Sequence, residues 1–543
     1  MKFDLVMFAS REAEIRARGL WSNKTIQSYF DQAVKTTPDK IAVVEYRLDR
    51  AEPRRITYRQ LDEEARRIAV SLTALGVRRQ DVVSFQLPNW WEFIGLLLAC
   101  ARIGAVANPL MHILREHELK FMLDLAESKV FIVPKSFRGF DYQSMARGLK
   151  ASLPKLDHVV VVDGDGDDSF DRVLLKDRDA SKLPACEPLQ PDDVVLVMYT
   201  SGTTGEPKGV MHTSNTVFAS ADAIVERLGL TPDDIVLAAS PFSHLTGWVV
   251  LATIPLMLGS TAVLQDIWEG RRALEIMTKE RVGFSAASTP FLHDMCNGVA
   301  AGVPQPPNFR LFLCAGAPIP PTLIEQARDT MNLTVCSCWG MTEVAAASLT
   351  EPHRAAEKSS VSDGCPLPNV ELMVADESGN ELPFGETGRL LIKVPWLFGG
   401  YLKRPGLSTL DEKGWFDTGD LAYADAEGYI RINGRTKDVI IRGGENIPVT
   451  TVEHLLYKHP SVASVAIVPY PDSRMGERAC AFIVLKPGKT LTFDEMTKYF
   501  DEVKLTKQYR PERLEIVTEL PSTASGKIQK FRLREMAKRF GDA

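Results

Sequence analysis

The chain has 543 residues, 45% of them hydrophobic and 25% charged, and its 64 Lys and Arg against 70 Asp and Glu give a formal charge of −6. That length exceeds one core and fits three or four units of roughly 150 residues, and the composition is that of a soluble globular protein. The acidic balance excludes a nucleic-acid binder that relies on bulk positive charge. At the N-terminus, Arg11, Glu12 and Glu14 follow at once on the short apolar start, so no signal peptide is expected. Short β-branched runs then predict strands at Ile41–Tyr46, Asp81–Leu87, Lys129–Pro134, His158–Asp163 and Val194–Tyr199. Between the first two, Thr57 and Gln60 make a capping box, Leu61, Ala65, Ile68, Leu72 and Leu75 keep helical spacing, and Gly76 marks the stop. Such alternation predicts an α/β fold, with parallel-type sheets packed with helices in a large N-terminal domain.

The acidic run Asp163-Gly-Asp-Gly-Asp-Asp168 lacks the glutamate of a calcium loop and reads as a solvated loop. Val249–Leu264 is apolar but too short to span a membrane, so it is expected as buried core, with no membrane span in the chain. The eight cysteines are scattered; only Cys336 and Cys338 are close, and a lone C-x-C lacks a second pair for zinc. They read as structural thiols in a reducing, cytoplasmic setting. After Lys437 the pattern changes to strands at Ser464–Val468 and Ala479–Leu485 around the turn-rich Pro471–Gly476, a helix from Phe493 and a strand at Leu514–Val517. Residues 437–543 are therefore expected to form a small α+β domain, separate from residues 1–436.

The stretch Tyr199-Thr-Ser-Gly-Thr-Thr-Gly-Glu-Pro-Lys-Gly209 follows the apolar run Val194–Met198 and is built to cradle phosphate. Glycines let backbone N–H groups face an anion, Thr200, Ser201, Thr203 and Thr204 add hydroxyls, and Lys208 adds charge. The pattern G-x-x-x-x-G-K-[S/T] fails here, because Pro207 precedes the lysine and Gly209 follows it.

The loop instead resembles the signature of the adenylate-forming enzymes. The resemblance recurs in order at Trp339-Gly-Met-Thr-Glu343, Gly414-Trp-Phe-Asp-Thr-Gly-Asp420, Gly434-Arg-Thr-Lys-Asp438 and Pro521-Ser-Thr-Ala-Ser-Gly-Lys527, and covers the chain from about residue 25. It implies a barrel-like subdomain within the large domain and a mobile C-terminal lid. It implies that Thr200, Ser201, Gly202, Thr203, Thr204, Gly205 and Lys208 hold the ATP phosphates. Trp339, where the family usually has tyrosine, would lie with Gly340 near the adenine, as would the small-residue turn Ala315, Gly316 and Ala317. Thr342 would contact phosphate and Glu343 would hold Mg²⁺. Asp420 would grip the ribose, with Arg435 as its partner, and Lys527 would be the catalytic lysine of adenylation. The family's hinge falls at Lys437, Gly443 and Gly444 would line the pantetheine path, and His244 would gate the acyl and pantetheine channels.

Two half-reactions follow from the resemblance: an acid and Mg-ATP give acyl-adenylate and pyrophosphate, then a thiol takes the acyl group. The family's acid pocket falls here on Leu245, Gly247, Trp248, Met341, Ala345 and Ala346, none of them basic. An unpaired second carboxylate would be costly to bury there, so the expected substrate is an apolar monocarboxylic acid. The bulk of Trp248 and Trp339 favours a ring or a medium chain. The sequence is similar to bacterial medium-chain, aryl and alicyclic acid CoA ligases, the cyclohexanecarboxylate type foremost; crotonobetaine-type ligases are also similar but would need a patch for the ammonium group. Coenzyme A is the expected acceptor, because the chain ends soon after Lys527 without a carrier domain. A stand-alone enzyme loading a carrier protein, luciferase-like oxygenation and a non-catalytic nucleotide-binding regulator are the alternatives. The intact Lys527, Glu343 and Asp420 argue against the last. The tail also resembles the site at which lysine acetyltransferases silence such ligases, here Lys527. Family members are often homodimers, but no stripe in this chain marks an interface.

Overall fold

A computed structural model of the chain describes residues 3–6, 9–176, 179–182, 187–200, 207–316, 319–435, 440–442, 445–447, 449–472, 476–503, 505, 507–523 and 528–540. The capping box at Thr57 forms as its sequence implies. The Gln60 N–H donates to Thr57 Oγ1 at 3.2 Å, and the Thr57 N–H donates to Gln60 Oε1 at 2.9 Å. These bonds satisfy donors that a helix start leaves orphaned, worth about 1 kcal/mol. The helix runs Tyr58–Ala74 and the chain leaves it through Gly76 at φ +84°. Leu61, Ala65, Ile68 and Leu72 are fully buried. The next helix, Trp91–Ile103, is buried on every side. It is mostly apolar, with Glu92 and Arg102 near its ends paired to Arg47 and Asp62, and the Phe93 ring meets Phe85, Phe242 and Trp248.

The first of these sheets has nine strands, six of them parallel: 334–339, 311–315, 284–287, 236–238, 262–265 and 41–46, in that spatial order. Short antiparallel strands close both edges. The second sheet has six strands, five parallel and one, Lys208–Thr213, paired antiparallel with Val194–Thr200. The expected strand Asp81–Leu87 contracts to Val82–Phe85, since Asp81 Oδ2 accepts from the Arg78 N–H in the preceding turn and Pro88 ends the run. Where a barrel-like subdomain is expected, residues 371–375, 388–393, 416–424 and 430–435 form a four-stranded antiparallel meander.

The smaller C-terminal domain is built on a long hairpin, Val462–Asp472 against Gly476–Leu485, with Arg513–Ile516 added in parallel. One face of the hairpin packs Val465, Ile467, Ala481 and Ile483 against Val452, Leu456, Met496 and Phe500. The other face packs Ala466, Val468 and Phe482 against Leu533 and Ala537, so the basic tail Lys530–Lys538 is a helix docked on the sheet.

The apolar run Val249–Leu264 divides into helical turns to Leu258, a Gly259 turn at φ +69° and the strand Ala262–Gln265. Among the described residues no helix is long and apolar enough to cross a membrane. The acidic loop is neutralised by neighbours: Asp163, Asp165, Asp167 and Asp168 pair with Arg47, Lys135, Arg172 and Arg147. The seven described cysteines are buried and unpaired, and burial pushes the Cys336 thiol up to about 12, so it stays a neutral core thiol.

Candidate active site

The arm of the second sheet brings the two rims of the glycine-rich loop together. Lys208 lies directly opposite Thr200 in the antiparallel register. Ser201, Gly202, Thr203, Thr204 and Gly205 lie outside the described residues, so the stem of the loop is what the structure places. Further along the arm, His212 Nε2 sits 2.7 Å from the Thr342 carbonyl and Nδ1 sits 3.2 Å from Thr216 Oγ1. A carbonyl only accepts, so Nε2 carries the proton and Nδ1 is left as an acceptor facing the Thr216 hydroxyl, which also lies 3.1 Å from the Thr213 carbonyl. Burial lowers the His212 pKa to about 4, against the opposing pull of the Thr342 carbonyl. The ring is a neutral strut between the arm and the loop after Trp339.

That loop is tightly determined. A Cβ at Gly340 would lie 1.7 Å from the Ala345 carbonyl oxygen, so only glycine fits there. Ala345 takes φ +54°, the Val344 N–H donates to the Met341 carbonyl, and the Ala347 N–H returns to the Trp339 carbonyl. Thr342 and Glu343 ride on this turn. Glu343 is buried, and Tyr401 Oη donates to its Oε1 at 2.7 Å. Burial first, and Glu343 second, push the phenol well above its usual value, so Tyr401 stays a donor. The ring of Tyr401 lies 4.7 Å below Lys208 Nζ.

The third member comes from the meander. Trp339 Nε1 donates to Asp420 Oδ2 at 2.9 Å, both residues being buried. The aspartate's backbone is fixed in turn: its N–H donates to Thr418 Oγ1, which donates to the Leu390 carbonyl. Asp420 stands opposite Arg435 in the strand pairing, so the two motif members are neighbours in register. Ala315 ends the strand Leu311–Ala315, opposite Cys338, and the exposed Gly316 takes φ +84°; Ala317 lies outside the described residues. So do Lys437, Gly443, Gly444 and Lys527.

The expected acid-pocket residues come from two places. Met341, Ala345 and Ala346 belong to the Trp339 turn, where Ala346 is buried and its carbonyl accepts from Trp396 Nε1 at 2.9 Å. His244, Leu245, Gly247 and Trp248 form the entry to the helical segment Gly247–Leu258; His244 is half-buried, while Leu245 and Trp248 are buried. A Cβ at Gly247 would lie 2.0 Å from the Pro241 oxygen. Trp248 borders a small apolar cavity shared with Leu97, Cys100, Val217 and Phe218. Sequence reasoning missed Tyr401 and His212. The pair Gly399-Gly400 before Tyr401, and a histidine near the end of the strand after the glycine-rich loop, were the available signals.

Among the described residues no cluster of three or more His, Cys, Asp or Glu could cage a metal. One buried carboxylate, Glu343, suits a cation that takes one or two carboxylates and completes its shell with phosphate oxygens and water, as Mg²⁺ does. Lys208, Glu343, Trp339 and Asp420 are thus gathered from two large sheets and a meander. Residues 30–402 match the AMP-binding enzyme family and residues 451–527 its C-terminal domain. The chain is 35% identical over 542 residues to a medium-chain fatty-acid–CoA ligase of Escherichia coli, covering 98% of this chain and 94% of the relative. It is 33% identical to a salicylyl-CoA synthase / salicylate adenylyltransferase of a Streptomyces species, covering 97% and 96%. ATP-bound MatB from Rhodopseudomonas palustris superimposes with a TM-score of 0.84 at 26% identity, covering 95% of this chain and all of that one. The chain belongs to the AMP-binding enzyme family, in its acyl-CoA synthetase branch, and is an AMP-forming carboxylic acid–CoA ligase.

Proposed function

We propose that this ligase activates an apolar monocarboxylic acid, alicyclic, aromatic or of medium chain length, and passes the acyl group to coenzyme A. The observation that carries the substrate class is the lining: Leu245, Gly247, Trp248, Met341, Ala345 and Ala346 contribute no charge, and Leu245 and Trp248 are buried bulk on one side. A second carboxylate would have no partner there. The medium-chain and salicylate names of the two relatives agree in asking for an acid with an apolar body.

In the first half-reaction a carboxylate oxygen attacks the α-phosphorus of ATP. A mixed anhydride forms, the α–β bridge breaks, and pyrophosphate leaves with the electron pair. Lys208 and the hydroxyls of the glycine-rich loop hold the phosphates, and Asp420, tied to Trp339, holds the ribose. Arg435 is the partner of Asp420 in this reading. Glu343 and Thr342 would hold Mg²⁺, which neutralises phosphate charge when bound. Lys527 supplies positive charge to the phosphate oxygens as charge develops. In the second half-reaction the coenzyme A thiol, its proton lost to solvent, attacks the acyl carbon, the acyl C–O bond breaks and AMP leaves. Gly443 and Gly444 line the path of the pantetheine, residues 437–543 act as the lid hinged at Lys437, and His244 stands at the channel mouth.

The test is incubation with ATP, Mg²⁺ and coenzyme A against benzoate, cyclohexanecarboxylate, hexanoate, octanoate and palmitate, with AMP and thioester read by mass spectrometry. Thioester with a ring or medium-chain acid is expected. Turnover of palmitate alone would overturn the substrate class, and pyrophosphate release without thioester would redirect the second step to a carrier protein.

A further inference from the structure

We propose that Tyr401 is a positioning residue of the ATP site, holding the Glu343 carboxylate in the orientation that receives the metal–triphosphate. The inference rests on the nucleotide reading above. Its basis is a convergence of three contacts on one buried side chain. Tyr401 Oη donates to Glu343 Oε1 at 2.7 Å. Its ring lies 4.7 Å from Lys208 Nζ, and its other neighbour is the Phe398 ring at 4.8 Å. One phenol therefore touches both the cation that ends the glycine-rich loop and the carboxylate placed to hold the metal.

The backbone around it is built for the same end. The Phe398 N–H donates to the Glu343 carbonyl at 2.9 Å, so residue 343 is held at main chain and side chain by one short segment. That segment pairs with the Lys208 strand: the Gly399 N–H donates to Met211 O at 2.7 Å, the Met211 N–H to Gly400 O at 3.1 Å, and the Leu402 N–H to Gly209 O at 2.7 Å. Gly400 takes φ +119°, a backbone conformation that favours glycine, while a Cβ at Gly399 would meet the end of the Leu5 side chain at 2.4 Å and Met211 O only at 3.5 Å. The N-terminal segment seals the arrangement, with the Val6 N–H donating to Gly399 O at 2.7 Å. Tyr401 is thus carried on a rigid piece of backbone between two elements that must act on one triphosphate. A hydroxyl donating to a metal-ligating carboxylate fixes which oxygen faces the metal, and loss of such a partner typically costs 10–100-fold in metal affinity.

The test is Tyr401→Phe, which keeps the ring, its packing and the face presented to Lys208, and removes only the hydroxyl. Calorimetric titration with ATP is run in Mg²⁺ and again in EDTA, and Mn²⁺ binding in the presence of ATP is read by electron paramagnetic resonance. The expected result is roughly 10-fold or more weaker binding of the metal–ATP complex and of Mn²⁺, with metal-free ATP binding unchanged. In a Glu343→Ala background the same change should have little further effect, since the acceptor carboxylate is gone. Equal weakening with and without metal would assign Tyr401 to packing and overturn the proposal, as would unchanged metal–ATP binding. A wild-type protein that binds no ATP at all would instead remove the nucleotide reading on which it rests.

Discussion

In the proposed reading Trp339 has two roles: its indole would face the adenine, and it reaches Asp420, the carboxylate assigned to the ribose. Its Nε1–H donates to Asp420 Oδ2 at 2.9 Å in a buried setting, and a hydrogen bond to a charged group is worth about 1.5–3 kcal/mol. Trp339→Phe keeps an aromatic face and deletes the donor. The expected outcome is a rise of roughly 10-fold in the KM for ATP, with the KM for the acid little changed. A rise in the acid KM with ATP unaffected would move Trp339 from the nucleotide to the acyl side. Both members were readable from their motifs, as an aromatic before Gly-Met-Thr-Glu and an aspartate ending Asp-Thr-Gly-Asp. Their contact was not, since 81 residues separate them and only the meander carries Asp420 beside the end of a strand from another sheet. Tyr401 was less legible still. A lone tyrosine has no spacing signature, and its importance lies wholly in the partners that tertiary structure gives it.

At the level of elements, local chemistry was readable wherever it is decided within a few residues. The Thr57–Gln60 box and the Gly76 stop needed no tertiary information, and the structure reproduces both. The run Val249–Leu264 was readable only as core, because a short continuous apolar segment fits a buried helix and a buried strand equally, and it contains some of each. Gly247 tests how firmly its helical part is seated. A Cβ there would fall 2.0 Å from Pro241 O, so Gly247→Ala must push two backbone segments apart, at a cost of about 1–3 kcal/mol. Gly148 is the control. It sits in the exposed face of the helix Tyr142–Lys150 with nothing near its Cβ position, and Gly148→Ala should stabilise by roughly 0.5–1 kcal/mol. Thermal denaturation should separate the two variants, the first melting below wild type and the second at or slightly above it. A Gly247→Ala protein as stable as wild type would mean that the entry to this segment yields easily and cannot define a pocket wall.

At the scale of the whole molecule, the two large sheets are tied by one buried arginine. Arg47 follows the strand Ile41–Tyr46 of the nine-stranded sheet. It meets Glu45 at 3.2 Å, Glu92 at 2.7 Å and Asp163 at 2.7 Å. Glu92 opens the helix packed between the sheets, and Asp163 follows a strand of the six-stranded sheet. Arg47 also stacks 3.8 Å from the Trp90 ring, and Arg50 reaches Glu45 at 3.4 Å and Asp163 at 3.6 Å. Burial is the largest influence on Glu92 and raises its pKa; Arg47 lowers it, Glu45 raises it, and the balance stands at about 7. A carboxyl raised on folding binds more protons folded than unfolded, between its unfolded value near 4.5 and about 7. Stability tied to Glu92 is therefore fully present below that window and declines as pH rises through it. Glu92→Gln keeps the shape and removes the titration. Urea unfolding of both proteins from pH 5 to 8 should show wild type losing stability relative to the variant as pH rises. Parallel profiles would mean that Arg47 keeps Glu92 ionised throughout, so that the junction is a permanent ion pair rather than a proton-linked one. The network sits at the sheet junction and not among Lys208, Glu343, Trp339 and Asp420, so the same titration should appear in unfolding but leave metal–ATP affinity flat across pH 6 to 8.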